Sequence, residues 1–488
     1  MQKAIDVQFK DENKKMKKDI MRIFMSNIMK MGVTFVTAFI IPMILSVDDY
    51  GYYKLYTFYA SYIGLSHFGF CDGIYLRYGG KNLECIDKTE IHKESSTLLT
   101  YELFVSFVIV IAGIVKKDLI IICLGIVVVP HILFTYFSYI YQATGNFSAY
   151  TSIINFSTIC NLAFNFILVL LKVSDYKAYI YSNLSYQIVA LVFAGVLFAK
   201  QGLIHYTGFS LDIFTENIKL GILLLVGNFA YTLFIGIDKW FIKFTMNITD
   251  FSFYSFASQM LTVINMFVTP ISLTLYSNIS RKKNIKFEIK VKRLLVVFLM
   301  LIPIAIYAII FIITTFITQY TKAIDIISML LITQIFLSIN MVVFVNLYKA
   351  YREQKQYFFR LLGALGSALC LDLIVSLIEP NTVFYALATL FSCFIWLGLN
   401  LSHYKYMKPS KQEIIYIVSL LLIFEISSII ISNIFINVLI YLSCYIILTK
   451  LLMTPEWKYM VSLLHTIFKN LKFSKGGVLN HVFKREEK

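Results

Sequence analysis

Apolar runs of bilayer-spanning length alternate along the chain with short clusters of charged and turn-forming residues. The runs fall at 23–46, 52–75, 95–115, 119–141, 149–171, 178–199, 218–242, 251–277, 294–316, 323–348, 358–378, 383–402, 412–431 and 434–453. About 20 apolar residues in a helix cross the ~30 Å hydrocarbon core of a bilayer, where every backbone polar group must be satisfied internally. The pattern therefore predicts an all-α, polytopic membrane protein with fourteen transmembrane spans. The first run is too long for a removable signal peptide and has no small-residue cleavage site, so it is expected to remain as the first span.

Composition narrows the function classes. Of 488 residues, 58% are hydrophobic and only 15% charged, with a mean hydropathy of +0.74. What lies outside the spans leaves no single stretch for a water-soluble catalytic domain of about 50 residues or more. The seven cysteines contain no CxxC pair and lie mostly within apolar runs, so neither a disulfide framework nor a zinc site is expected. No P-loop, HExxH, GxSxG or glycine-rich dinucleotide motif occurs. The expectation is a protein with no catalytic residues, no cofactor and no metal.

Charge fixes the orientation. The 44 Lys and Arg against 28 Asp and Glu leave +16, which in a chain this apolar points to cytoplasmic loops and anionic lipid head groups, not to nucleic acid. With a cytoplasmic N-terminus, the tails and even-numbered connections carry 35 of the 44 basic residues. The others are Lys30, Lys54, Lys116, Lys117, Lys172, Lys177, Lys239, Lys243 and Lys322. Both termini are therefore expected inside. The outside connections are all short, too short to hold the acceptor and carboxylates that a membrane polymerase needs. The tail from Trp457 places Trp457, Met460, Val461, Leu464, Phe468 and Leu471 at helical spacing among lysines and reads as an interfacial helix.

Two segments repeat. Asp48-Asp49-Tyr50-Gly51-Tyr52-Tyr53 opens the second span and Thr249-Asp250-Phe251-Ser252-Phe253-Tyr254 the eighth, 201 residues later. Tyr141-Gln142-Ala143 and Tyr150 close the fourth span, and Tyr348-Lys349-Ala350 and Tyr357 close the tenth, at an offset of 207. Such offsets imply two six-span lobes in the same orientation, 1–207 and 208–405, followed by two further spans over 406–455 and a cytoplasmic amphipathic tail over 456–488. Transporters commonly carry their substrate at the interface of such repeats.

Ionisable residues inside a bilayer are costly and mark function unless a structural partner explains them. Lys30 lies about 12 Å deeper than Arg22 at ~1.5 Å per residue, either facing a cavity or partnering an acid such as Asp72 or Glu102. Arg22 reads as an interfacial anchor or cavity cation, and Lys54 as an anchor or cavity cation near the outer end of the second span. Lys239 and Lys243 share a face at i, i+4 and repel unless an anion lies between them. Asp238 points away from Lys239 toward another helix, as a structural pair or a coupling or gating residue. Glu425 stands in mid-span, either protonated against lipid or turned into the bundle. Asp72, with His67 and Arg77, reads as a helix-end salt-bridge set or as a gating group. His131 beside Pro130 reads as packing at a kink. The amides Asn161, Asn165, Asn265 and Gln259 either bond between helices or line a cavity suited to sugar hydroxyls.

Pro42 through Asp48-Asp49-Tyr50-Gly51, then Gly69-Phe70-Cys71-Asp72-Gly73 and Arg77-Tyr78, resembles the N-terminal region of polysaccharide transporters in the MOP (multidrug, oligosaccharidyl-lipid, polysaccharide) exporter superfamily. Ile237-Asp238-Lys239 with Tyr254-Ser255-Phe256-Ala257 is similar to that family's Asp-Arg pair and Tyr-Ser-x-Ala turn, with Lys239 for the usual Arg and Ser252 for the usual Gly. The resemblance implies a flippase for undecaprenyl-pyrophosphate-linked oligosaccharides of O-antigen or capsule type in the bacterial cytoplasmic membrane, akin to lipid II flippases. It implies alternating access, pyrophosphate held by Lys30, Arg22, Lys54, Lys239 and Lys243, and polysaccharide polymerase and assembly proteins as partners beside membrane lipids. A drug or metabolite exporter of the same superfamily is the alternative, and it expects acids, not lysines, to dominate the cavity.

Overall fold

The computed structural model describes residues 29–282, 284–431 and 433–462. Arg22 and the tail beyond Ser462 lie outside the described residues. Twelve helices there are long and apolar enough to cross a membrane, and a shorter apolar helix, Met29–Ile44, precedes them. The protein is a multi-pass, all-α membrane protein.

The helices follow the apolar runs because polar residues at their edges cap them. The third span is Lys88–Lys116, the fourth Leu119–Ala143, the fifth Phe147–Leu170 and the sixth Tyr176–Lys200. Asp87, Asp118, Asn146 and Asp175 each accept a hydrogen bond from a free backbone N–H in the first turn of these helices. The seventh span is Leu211–Thr245 and the eighth Ile248–Lys282. The ninth to twelfth are Ile285–Phe316, Thr318–Tyr351, Gln354–Ile378 and Thr382–His403. Ser410 and Asn433 cap the thirteenth and fourteenth, Lys411–Ile430 and Ile434–Leu452.

The second span departs from its expected continuity. It is two helices, Val47–Ala60 and Phe70–Tyr78, joined through a short 3₁₀ turn at Ile63–Leu65. Phe68 at φ 46° and Gly69 at φ 89° reverse the backbone hand, a conformation that costs a side chain little only at glycine. His67 Nδ1 takes up the Gly69 N–H at 3.0 Å, so the break leaves that donor satisfied. In the first span a π-helical turn, Val36–Ile40, precedes Pro42, whose missing N–H cannot continue an α-helical ladder.

Contacts group the chain into two compact units. The first takes in the described part of Met1–Met266 with Phe316–Ile326 and Leu365–Ala388, and the second the described parts of Phe267–Thr315, Ile327–Ala364 and Thr389–Lys488. In the first unit Phe70, Tyr78, Tyr136, Phe137, Tyr141 and Phe198 form a buried core. In the second, hydroxyls stitch the last two spans to the ninth. Tyr441 and Tyr445 donate to the carbonyls of Met300 and Val297 at 2.8 and 3.1 Å, and Tyr307 shares a bond of 2.9 Å with Ser427.

Candidate functional site: a cationic cluster on the second, seventh and eighth spans

The two members of the repeat meet in the first unit. Thr249 donates to Asp48, and the two stand 201 residues apart, the offset of the repeat itself. A Cβ on Gly51 would stand 2.8 Å from the Ile248 carbonyl oxygen and 3.1 Å from Ser252 Cβ, and Ser252 is again 201 residues on. Residues at matched positions touch when a pseudo-twofold axis passes between their helices. Gly51 is needed because only a hydrogen there lets the two backbones approach.

One turn further into the membrane, Lys54 reaches across the same seam. Its Nζ donates to Gln259 Oε1 at 2.8 Å and lies 5.2 and 5.8 Å from the ring centroids of Tyr50 and Tyr53. The rings and the amide oxygen stabilise the ammonium. None of them neutralises it. On the seventh span, Lys239 Nζ stands 5.9 Å from the Phe58 ring, and the two ammonium groups are near enough to repel one another. Among the described residues no carboxylate lies within 4 Å of either. Lys243, one turn on, is half-buried.

Asp238 is buried, 3% exposed, and lies near enough for its charge to favour the neighbouring Lys239 ammonium, though not within 4 Å of it. One of its oxygens accepts the Lys239 backbone N–H at 2.7 Å, and the other accepts the Tyr254 hydroxyl of the eighth span. Asp372 on the eleventh span is 1% exposed and lies close enough for its carboxyl to repel that of Asp238. Sequence reasoning did not single out Asp372. Its only signal was an acid within an apolar run, the same signal that marked Asp238 and Glu425.

Beyond the break, the C-terminal half of the second span packs on the seventh with almost no side chain between. A Cβ on Gly221 would stand 2.0 Å from the Gly69 oxygen, and one on Gly73 would stand 2.1 Å from the Asn217 oxygen. Arg77 closes this seam. Its guanidinium bridges Glu94 at 3.4 Å and Glu216 at 2.6 Å. The expected salt-bridge set of Asp72, His67 and Arg77 is thus corrected: the break turns His67 to the Gly69 N–H, and Arg77 finds its acids on the third and seventh spans. Asp72 is buried in the first turn of Phe70–Tyr78.

The remaining candidates lie elsewhere. Lys30 is exposed near the start of the described chain. Glu102 accepts from Ser66 at 2.9 Å. Asn165 donates to the Asn161 side chain on the same face of the fifth span, and Asn265 is half-buried on the eighth. His131 pairs with Gln187 at 3.0 Å. Glu425 is exposed on the thirteenth span, in the second unit. Lys54, Lys239, Gln259 and Asp238 are therefore the predicted residues that the fold gathers on neighbouring helices.

No family model and no curated protein sequence matches the chain. Its fold does have likenesses among solved structures of polytopic membrane proteins. The solved structure of the lipid II flippase MurJ in an inward closed conformation superposes with a TM-score of 0.67. It covers 89% of this chain and 98% of that one at 16% identity. An inward-facing multidrug resistance MATE transporter of the MOP superfamily gives a TM-score of 0.49 at 10% identity, over 79% of this chain and 99% of that one. Identities this low speak for the fold alone.

Proposed function

We propose that the protein is a flippase for an undecaprenyl-pyrophosphate-linked oligosaccharide, working by alternating access in the bacterial cytoplasmic membrane with both termini inside. The observation that carries this reading is the pair Lys54 and Lys239, held in membrane spans with no carboxylate among the described residues within 4 Å of either. Two like charges in such a place are unfavourable until an anion joins them. A diphosphate supplies several acceptor oxygens and charge-assisted hydrogen bonds to both ammoniums. Cationic cargo would be repelled by the same pair, which argues against a drug exporter.

On this reading Lys54 and Lys239 receive the diphosphate, with Lys243 one turn on from Lys239, while amides such as Asn265 face the glycan. The lipid tail stays in the bilayer and no covalent bond changes. The buried acids Asp238 and Asp372 are the seat of a coupling proton or monovalent cation. A polysaccharide polymerase and assembly proteins would take the exported unit. The test is transport of a fluorescent lipid-linked glycan in proteoliposomes. Asp238→Asn should abolish any acceleration by a proton or sodium gradient, and a wild-type rate indifferent to both gradients would end the coupling assignment.

A further inference from the structure

Lys54 has two tasks that compete. In this structure its ammonium bonds Gln259 Oε1 at 2.8 Å, and that bond ties the outer half of the second span to the eighth. A second side-chain bond crosses this seam. Thr249 to Asp48 lies at its exposed outer edge, and between the two bonds the helices touch backbone to backbone at Gly51. The tie is thus a polar contact beyond the glycine approach, in a half-buried setting where a hydrogen bond to an ammonium counts for more than at the edge. The tether is a neutral amide. It orients the ammonium and leaves the charge for a ligand.

We infer that Gln259 is a positioning residue for Lys54, and that the diphosphate of the cargo displaces it, so that anion binding and loosening of the outer seam are one event. The inference rests on the diphosphate reading above. A phosphate oxygen makes a shorter, stronger bond to an ammonium than an amide oxygen does, so the exchange runs toward the ligand when a diphosphate arrives. Once Lys54 turns to the phosphate, the second and eighth spans lose a hydrogen bond between them and keep the ring contacts of Tyr50 with Phe256 and Phe58 with Phe251. A ligand moves a conformational equilibrium only through contacts that differ between the two states. The lysine that changes partner supplies that difference. The amide also sets selectivity: an uncharged sugar cannot displace it, so unloaded lipid carriers without diphosphate leave the seam shut.

The test uses the full-length protein in nanodiscs with farnesyl pyrophosphate as the probe, measuring its affinity together with amide hydrogen exchange. In wild type, the probe binds and speeds exchange severalfold in residues 47–58 and 248–258. Gln259→Leu speeds exchange there without the probe and binds the probe about tenfold tighter, because the competing bond is gone. Gln259→Asn, which is polar but one methylene shorter, behaves as Gln259→Leu does. Gln259→Glu pairs with Lys54 internally and loses the probe. If the probe binds wild type while exchange in both segments stays unchanged, or if the Gln259 variants bind it as wild type does, the displacement is wrong although the cationic site stands. If wild type does not bind the probe, the diphosphate reading falls, and this inference with it.

Discussion

Buried basic residues occur in two settings in this molecule. In the second unit, Lys292 lies 2.9 Å from Glu413 and donates to the Met407 carbonyl at 3.0 Å, with both side chains of the pair buried. Next to it, Arg293 pairs with Glu456 at 3.0 Å, and Lys290 stands 4.9 Å from the Tyr459 ring. These bonds fasten the ninth span to the thirteenth and to the segment after the fourteenth. In the first unit, Lys54 and Lys239 have aromatic rings and an amide and, among the described residues, no acid within 4 Å. A fixed counter-charge makes a cation part of the framework. A cation given hydrogen bonds but no counter-charge remains available to a ligand.

Substitutions should separate the two settings, beginning with the largest effect. Lys292→Met leaves Glu413 buried without its partner and should cost about 3–5 kcal/mol, seen as a large fall in thermal midpoint. Replacing both partners, Lys292→Met with Glu413→Leu, should recover most of it. If the single variant melts like wild type, the latch is not structural. Next is the glycine seam, where Gly221→Ala forces a methyl into the Gly69 backbone and should cost about 1–3 kcal/mol by the same measurement. An unchanged midpoint would mean that the helices part there without strain. Lys54→Met removes an uncompensated charge, so its thermal midpoint should match or exceed that of wild type. A loss as great as that of Lys292→Met would erase the distinction.

The smallest effect concerns the connection between the tenth and eleventh spans. Partial burial of Glu353 works against its ionisation, but hydrogen bonds from Tyr404 and His403, with the charges of His403 and Arg360, hold its carboxyl below the ordinary range. A depressed carboxyl adds stability above its unfolded value of ~4.3 that disappears as pH falls through the lowered one. Thermal midpoints of wild type should therefore drop more than those of Glu353→Gln between about pH 5 and pH 3. Equal drops would remove this contact from the account.

The helical segments were legible because they are runs of apolar residues, most of them bounded by capping or charged residues, and both signals are local. The break in the second span was not, since Tyr62, Ile63, Leu65 and Phe68 carry the apolar run through it, and two glycines and a few polar residues are common inside membrane helices. The offset of 201 was readable as a repeat, but that its two copies touch, Asp48 on Thr249 and Gly51 on Ser252, is a property of packing. Lys54, Lys239 and Gln259 could each be named from the cost of polar groups in lipid. Their relation could not. Sequence distance also hid the partners of Arg77 and the pairing of Lys292 with Glu413.

The central claim is that Lys54 and Lys239 await an anionic cargo. It is tested most directly by the flipping rate of a fluorescent undecaprenyl-pyrophosphate-linked glycan in proteoliposomes, comparing wild type with the Lys54→Met, Lys239→Met double variant. The account predicts a fall of about tenfold or more, the loss of two charge-assisted contacts, at an unchanged thermal midpoint. A double variant that melts like wild type and flips the glycan at the wild-type rate would contradict it.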